Sequence, residues 1–249
     1  MPICATSWPT SVPNALAIGV NSAARANQSA DPVARAIALM CAVAIDMARA
    51  TGSDEWQARA ALLTPIAKAF GTDTGIHVAS MGIQVHGGMG FIEETGAAQY
   101  LRDVRVTAIY EGTNGIQAMD LVGRKMADGG EAAFRLIDEV QAGAETARSL
   151  LPDLASPVWN AAEALREATE ALVAAEMNDR FAGAVPYLRA FARVLSGHVH
   201  LRAAMADKAR LALSGIAILR LLPEHSALLA QAREGAAGLY ALTDADLAA

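Results

Sequence analysis

The run "VARAIALMCAVAIDMARA", Val33 to Ala50, constrains this chain more than any other stretch. Its apolar residues do not alternate as a half-buried strand requires, and they fall on more than one face of a helix. A helix of that kind needs neighbours on several sides. Asp31-Pro32 before it suits a helix start, with Asp as a cap and Pro at the first helical position. Thr51-Gly52 suits its end. The same texture recurs along the chain: alanine and leucine dominate, β-branched residues are sparse and only 5% of residues are aromatic. The expected fold is therefore all-α. With 249 residues, 53% of them apolar, there is enough material for one sizeable core or two small ones.

Several function classes drop out. The net charge of -6 offers no basic field for nucleic acid or anionic lipid. No run of eighteen apolar residues is free of charge, so no membrane span is expected. Cys4 and Cys41 lack a paired spacing, which argues against a disulfide framework or a zinc site; Cys41 reads as a buried thiol. His198 and His200 diverge on a helix, so no metal site is expected. The first residues lack a basic leading region, and a cytoplasmic chain is expected.

Residues 1–30 read as a poorly ordered lead-in with one short helix near Asn14 to Ala26. A helical domain is expected over 31–127 and an additional helical domain over 128–249, with "ADGG" at 127–130 between them. Within the first, Ser53 to Glu55 should start a helix running toward Ser80, kinked or divided at Pro65. An extended, glycine-punctuated loop is expected at 85–93, a short helix at about 95–105, a break at "TAIYEG", and a helix from about Thr113 to Met126. The second unit reads as an antiparallel bundle with helices at about 130–150, 157–181, 185–213 and 215–234. Trp159, Phe181 and Phe191 suit helix interfaces.

The chemistry concentrates around "AIYEGTNGIQAMDLVGRK". Glu111 stands before a helix start, with Gly112 after it. The free amides there can hold an anion or a polarised carbonyl oxygen. A carboxylate stripped of water beside apolar ligand atoms becomes a stronger base, as removal of a proton from carbon requires. An acidic residue that merely favours a helix start would look the same. Thr113 or Asn114 could cap the helix, and capping explains only one of them. "QVHGG", Gln84 to Gly88, has the shape of a turn whose amides meet a phosphate-bearing ligand, or of an ordinary interhelical turn. His86 suits a turn or core role, His77 has no acidic partner nearby in sequence, and Arg102 and Asp103 pair with other groups or stay solvated.

"GIQVHGGMGFIEET", "YLRDVRV" and "IYEGTNGIQAMDLVGRK", in this order and spacing, closely resemble the acyl-CoA dehydrogenase family. The residues beyond about Gly130 resemble the extra helical domain of a longer subgroup that includes methylthiopropanoyl-CoA dehydrogenases. The resemblance implies FAD as cofactor, an acyl-CoA substrate and a 2-enoyl-CoA product. It implies Glu111 as the base at the alpha carbon, with its backbone N–H on the thioester oxygen, and Gly112 as a substrate contact. Thr113 matches a flavin contact, and Gln84, Val85, His86, Gly87 and Gly88 match a segment that reaches FAD across a subunit interface. Gly115 stands where the family commonly has glutamine, and Gln117 follows two positions later. A homo-oligomer, or a partner carrying the N-terminal helical and middle β domains of full members, is implied, and so is an electron-transfer flavoprotein as electron acceptor. Those two domains have no counterpart in this sequence, so weak activity of the chain alone is expected. An acyl-CoA oxidase, or a non-catalytic helical subunit of a split enzyme, are the other readings.

Overall fold

The computed structural model describes the backbone of residues 14–248 and the side chains of residues 33–248. The described residues are helical throughout, with no strand among them. The first helix, α1 (Asn14–Thr51), runs straight through the start expected at Asp31-Pro32. Alanine-rich sequence on both sides, Ala23 to Ala30 and Ala34 to Ala38, favours helix strongly enough to carry the chain past one proline. Residues 1–13 of the expected lead-in lie outside the described residues.

Ser53 caps α2 (Asp54–His86), its side chain accepting from the Trp56 amide. Pro65 does not divide this helix. A mid-helix proline costs about 3 kcal/mol, but Leu62, Leu63, Ile66 and Ala69 around it are all buried in the core, and their burial outweighs that loss. The helix also outruns Ser80. The expected extended loop at 85–93 is instead folded back as α3 (Gly88–Phe91), followed by a 3-10 turn, Glu93–Thr95. Gly87 turns the chain at φ 61°. A Cβ on Gly90 would stand 2.3 Å from the Ile83 carbonyl oxygen, so only glycine lets the return stroke lie this close to α2.

α4 (Ala97–Arg105) then packs on α2, with a 3-10 turn at Val106–Ala108 after it. The helix expected to reach Met126 is α5 (Asn114–Val122), closed by Gly123 and a 3-10 turn at Arg124–Met126. Residues 131–233 form α6 (Glu131–Ala147), α7 (Pro152–Ala174), α8 (Met177–Ala182), α9 (Ala184–Ala206), α10 (Leu211–Ile216) and α11 (Glu224–Arg233). A π-helical turn, Ala217–Leu221, joins the last two where one continuous helix was expected. Pro157 lies inside α7, which starts earlier, at Pro152.

One apolar core runs from Val33 to Leu229. α9 is its centre. It packs on α6, α7 and α11 and also on α1, α2 and α5. Phe191 is buried in it, and Trp159 and Phe181 pack against it. Cys41 is buried beside Thr64, at 3.5 Å. Residues 208–233 form one stretch long and apolar enough, by length and composition, to cross a membrane. Here Ile218, Leu222, Leu228 and Leu229 of that stretch are buried in the core, and its Glu224 pairs with Arg189 and Arg193 of α9.

Candidate functional site

The segment between the Val106–Ala108 turn and α5 is short, and its backbone is unusual. Glu111 has φ 57°, the left-handed region, and no other non-glycine among the described residues does. Gly112 follows at φ 83°. A left-handed non-glycine costs about 1 kcal/mol, so something must hold it there.

Three side chains do so. The Gln117 amide nitrogen donates to the Glu111 carbonyl at 2.8 Å. The Lys68 ammonium, from the middle of α2, donates to the Gly112 carbonyl at 2.6 Å. Thr113 caps α5, its hydroxyl accepting from the Ile116 amide. That settles which residue is the cap. Asn114 turns the other way, onto α2. Its Oδ1 accepts from Lys68 at 2.9 Å and its Nδ2 donates to Asp73 at 2.6 Å, with Thr72 beside both.

These ties consume the carbonyls of Glu111 and Gly112 but not the Glu111 amide, which donates to no backbone acceptor among the described residues. The residue thus carries an unengaged N–H and a carboxylate on one strained backbone unit. Its side chain is exposed, as are Ile109, Tyr110 and Ile116 around it. An open cleft of about 720 Å³ adjoins it, lined by Glu111, Gly112, Ile116 and Met119 and walled opposite by Met177 and Phe181 of α8. The apolar cover that would dry the carboxylate is not supplied by these neighbours.

The second candidate set lies elsewhere. Gln84 and His86 are exposed in the last turn of α2, Val85 is half-buried, and Gly87 and Gly88 follow in the open turn. The His86 ring nitrogen bonds back to the Gly82 carbonyl, at 2.9 Å. Thr72, where α2 meets the Glu111 loop, is twelve residues from Gln84, about 18 Å along the helix. The structure does not bring the two sets together within one chain.

The remaining candidates are structural. Arg102 bonds Gln99 and approaches Glu93, and Asp103 accepts from Gln99, all at the surface. His198 is buried on α9, its Nε2 3.8 Å from the Glu139 carboxylate, which also binds Arg59 of α2. His198 first and Arg59 second hold the Glu139 carboxyl down at about 2, against the opposing effect of burial. Lys68 escaped the sequence reading. Its one signal is a lone charge inside the buried run "ALLTPIAKAF".

Residues 23–127 match the family described as acyl-CoA dehydrogenase, C-terminal domain, and residues 136–243 match the acetyl-CoA dehydrogenase C-terminal like family. A 3-methylmercaptopropionyl-CoA dehydrogenase of Ruegeria pomeroyi is 40% identical over 172 residues, which is 65% of this chain and 29% of that protein. A butyryl-CoA dehydrogenase of Syntrophomonas wolfei is 38% identical over 85 residues, 32% of this chain and 14% of that protein. The chain thus spans less than a third of the length of either relative. An acyl-CoA dehydrogenase of Bacillus anthracis, solved in complex with FAD, shares the fold at a TM-score of 0.70 and 17% identity, over 94% of this chain and 46% of that one.

Proposed function

Because the chain belongs to the acyl-CoA dehydrogenase family, whose C-terminal-like helical domains it carries, we propose that it serves the alpha,beta-dehydrogenation of an acyl-CoA thioester, with Glu111 as the base. The observation that carries this reading is the left-handed backbone of Glu111, held by ties that leave its amide unengaged. Its carboxylate would take the proton from the carbon alpha to the thioester. Its N–H would donate to the thioester oxygen as negative charge gathers there. Gly112, without a side chain, lets the thioester approach the loop.

Bound FAD would supply the acceptor for the hydride that leaves the beta carbon. The chain's own groups suit such a ligand in part. The Thr113 hydroxyl accepts from the α5 amide and keeps its own proton available to donate. Gln84 and the turn at Gly87 and Gly88 are exposed and lie far along α2 from Thr113, which favours a second chain supplying one of the two contact sets. Electrons would then pass to an electron-transfer flavoprotein.

The exposure of Glu111 bears on how much this chain does alone. Phe91, 81% exposed, Tyr100, Tyr110 and Ile116 leave much apolar surface near both sets uncovered. We read this chain as requiring other domains or copies to dry the site. A helical interaction subunit is the second reading, favoured by that same surface; an oxidase would share the base and be told apart by peroxide. The decisive experiment follows the exchange of the alpha proton of an acyl-CoA with solvent deuterium in flavin-reconstituted protein. Glu111→Gln should abolish the exchange and keep flavin binding. Persisting exchange rules out the base assignment. Flavin absent from every preparation, with or without added partner, puts the interaction subunit ahead.

A further inference from the structure

We propose that Lys68 is the positioning residue for Glu111, an inference that rests on the reading of that loop as the base site. Among the described residues, its ammonium is the one group from outside α5 that bonds a carbonyl of the loop itself, while Asn114 ties the start of α5 to α2 through Asp73, Thr72 and the Ala69 carbonyl. Gln117 also binds the loop, but it sits on α5, a few residues downstream, and moves with it. Lys68 is anchored on α2 between Ile66 and Ala69, both buried, and spans 44 residues of sequence to reach the Gly112 carbonyl. The same ammonium binds the Asn114 side chain, which is fixed in turn on Asp73. The carbonyl at Gly112 and the Asn114 side chain thus share one cation, and of the two only the Gly112 carbonyl depends on it alone.

The geometry explains what that does. The carbonyl of Gly112 and the φ of Gly112 share one backbone unit, and the left-handed pair Glu111-Gly112 sets where the Glu111 amide points. Without the Lys68 bond, Glu111 is free to relax to the right-handed region that its Cβ prefers. The placement of the amide relative to the carboxylate then changes. A lysine in this role acts through the loop and touches no reacting atom.

The test uses the full chain. Backbone carbon shifts of Glu111 and Gly112, read by nuclear magnetic resonance, report their dihedral angles. In Lys68→Met these shifts are expected to leave their left-handed values, while signals from α7 and α9 stay in place and Lys68→Arg restores the original pattern. Unmoved shifts in Lys68→Met overturn the proposal. Should that variant not fold, Asn114→Ala removes the second anchor of the ammonium; a smaller displacement of the same shifts supports the role, and none overturns it. In the flavin-reconstituted enzyme, Lys68→Met should lower kcat about tenfold or more, with KM altered by less than about twofold. Glu111→Gln separates the two readings. If proton exchange survives it, the base assignment fails whatever Lys68 does to the shifts. If it abolishes exchange while Lys68→Met leaves the shifts unmoved, only the positioning role fails.

Discussion

Gly112 carries the sharpest constraint on a single residue. A Cβ there would stand 3.1 Å from the Gln117 side-chain nitrogen, on a backbone already at φ 83°. Gly112→Ala is therefore expected to destabilise the chain by about 1 kcal/mol, read as a lower urea midpoint, and to weaken the Gln117 tie that orients Glu111. The position of Glu111 ahead of a helix was legible in the sequence, because Gly112, Thr113 and Asn114 punctuate that start. Its left-handed backbone was not, since nothing local demands it. The bond that reaches it from Lys68 joins residues that only the packing of α2 against α5 brings together. Which of Thr113 and Asn114 caps the helix was undecidable for the same reason: both can cap, and Asp73 on α2 claims one of them.

Among the elements, the hairpin of α2 and α3 shows where local rules misled. Two glycines near His86 read as an extended loop, yet α3 lies back against α2 because Gly90 permits backbone-to-backbone approach. Gly90→Ala should push α3 off α2, at a cost of about 2 kcal/mol confined to this corner. Limited proteolysis should then cut between residues 86 and 96 faster, with the circular dichroism of the whole chain little changed. Pro65 misled in the other direction. A proline inside a helical pattern predicts a break, but the run from Leu62 to Phe70 is buried on the sides facing α1, α5 and α9. The sequence rule describes an isolated helix, and packing decided against it. The helical class itself was readable throughout, since no segment alternates.

For the whole molecule, the Glu139 cluster links three helices, with Arg59 on α2, Glu139 on α6 and His198 on α9. The depressed Glu139 carboxyl contributes stability that is full above its ordinary pKa of 4.5 and is lost as the pH falls toward about 2. A Glu139→Gln chain lacks that dependence. Its urea midpoint should fall less steeply than that of the original chain between those two pH values; equal slopes would remove the cluster from the acid response. α9 makes the same connection on a larger scale. The residues matched to one family description end at 127 and those matched to the other begin at 136, yet α9 lies in the second and buries Phe191, Val194 and Leu195 in a core shared with α1, α2 and α5. A lineage that shed the chain after the Asp128–Gly130 turn would strip those three helices of a wall they pack against. The two segments are separable as text but not as packing, because the surface that α9 covers on α1, α2 and α5 has no other cover among the described residues.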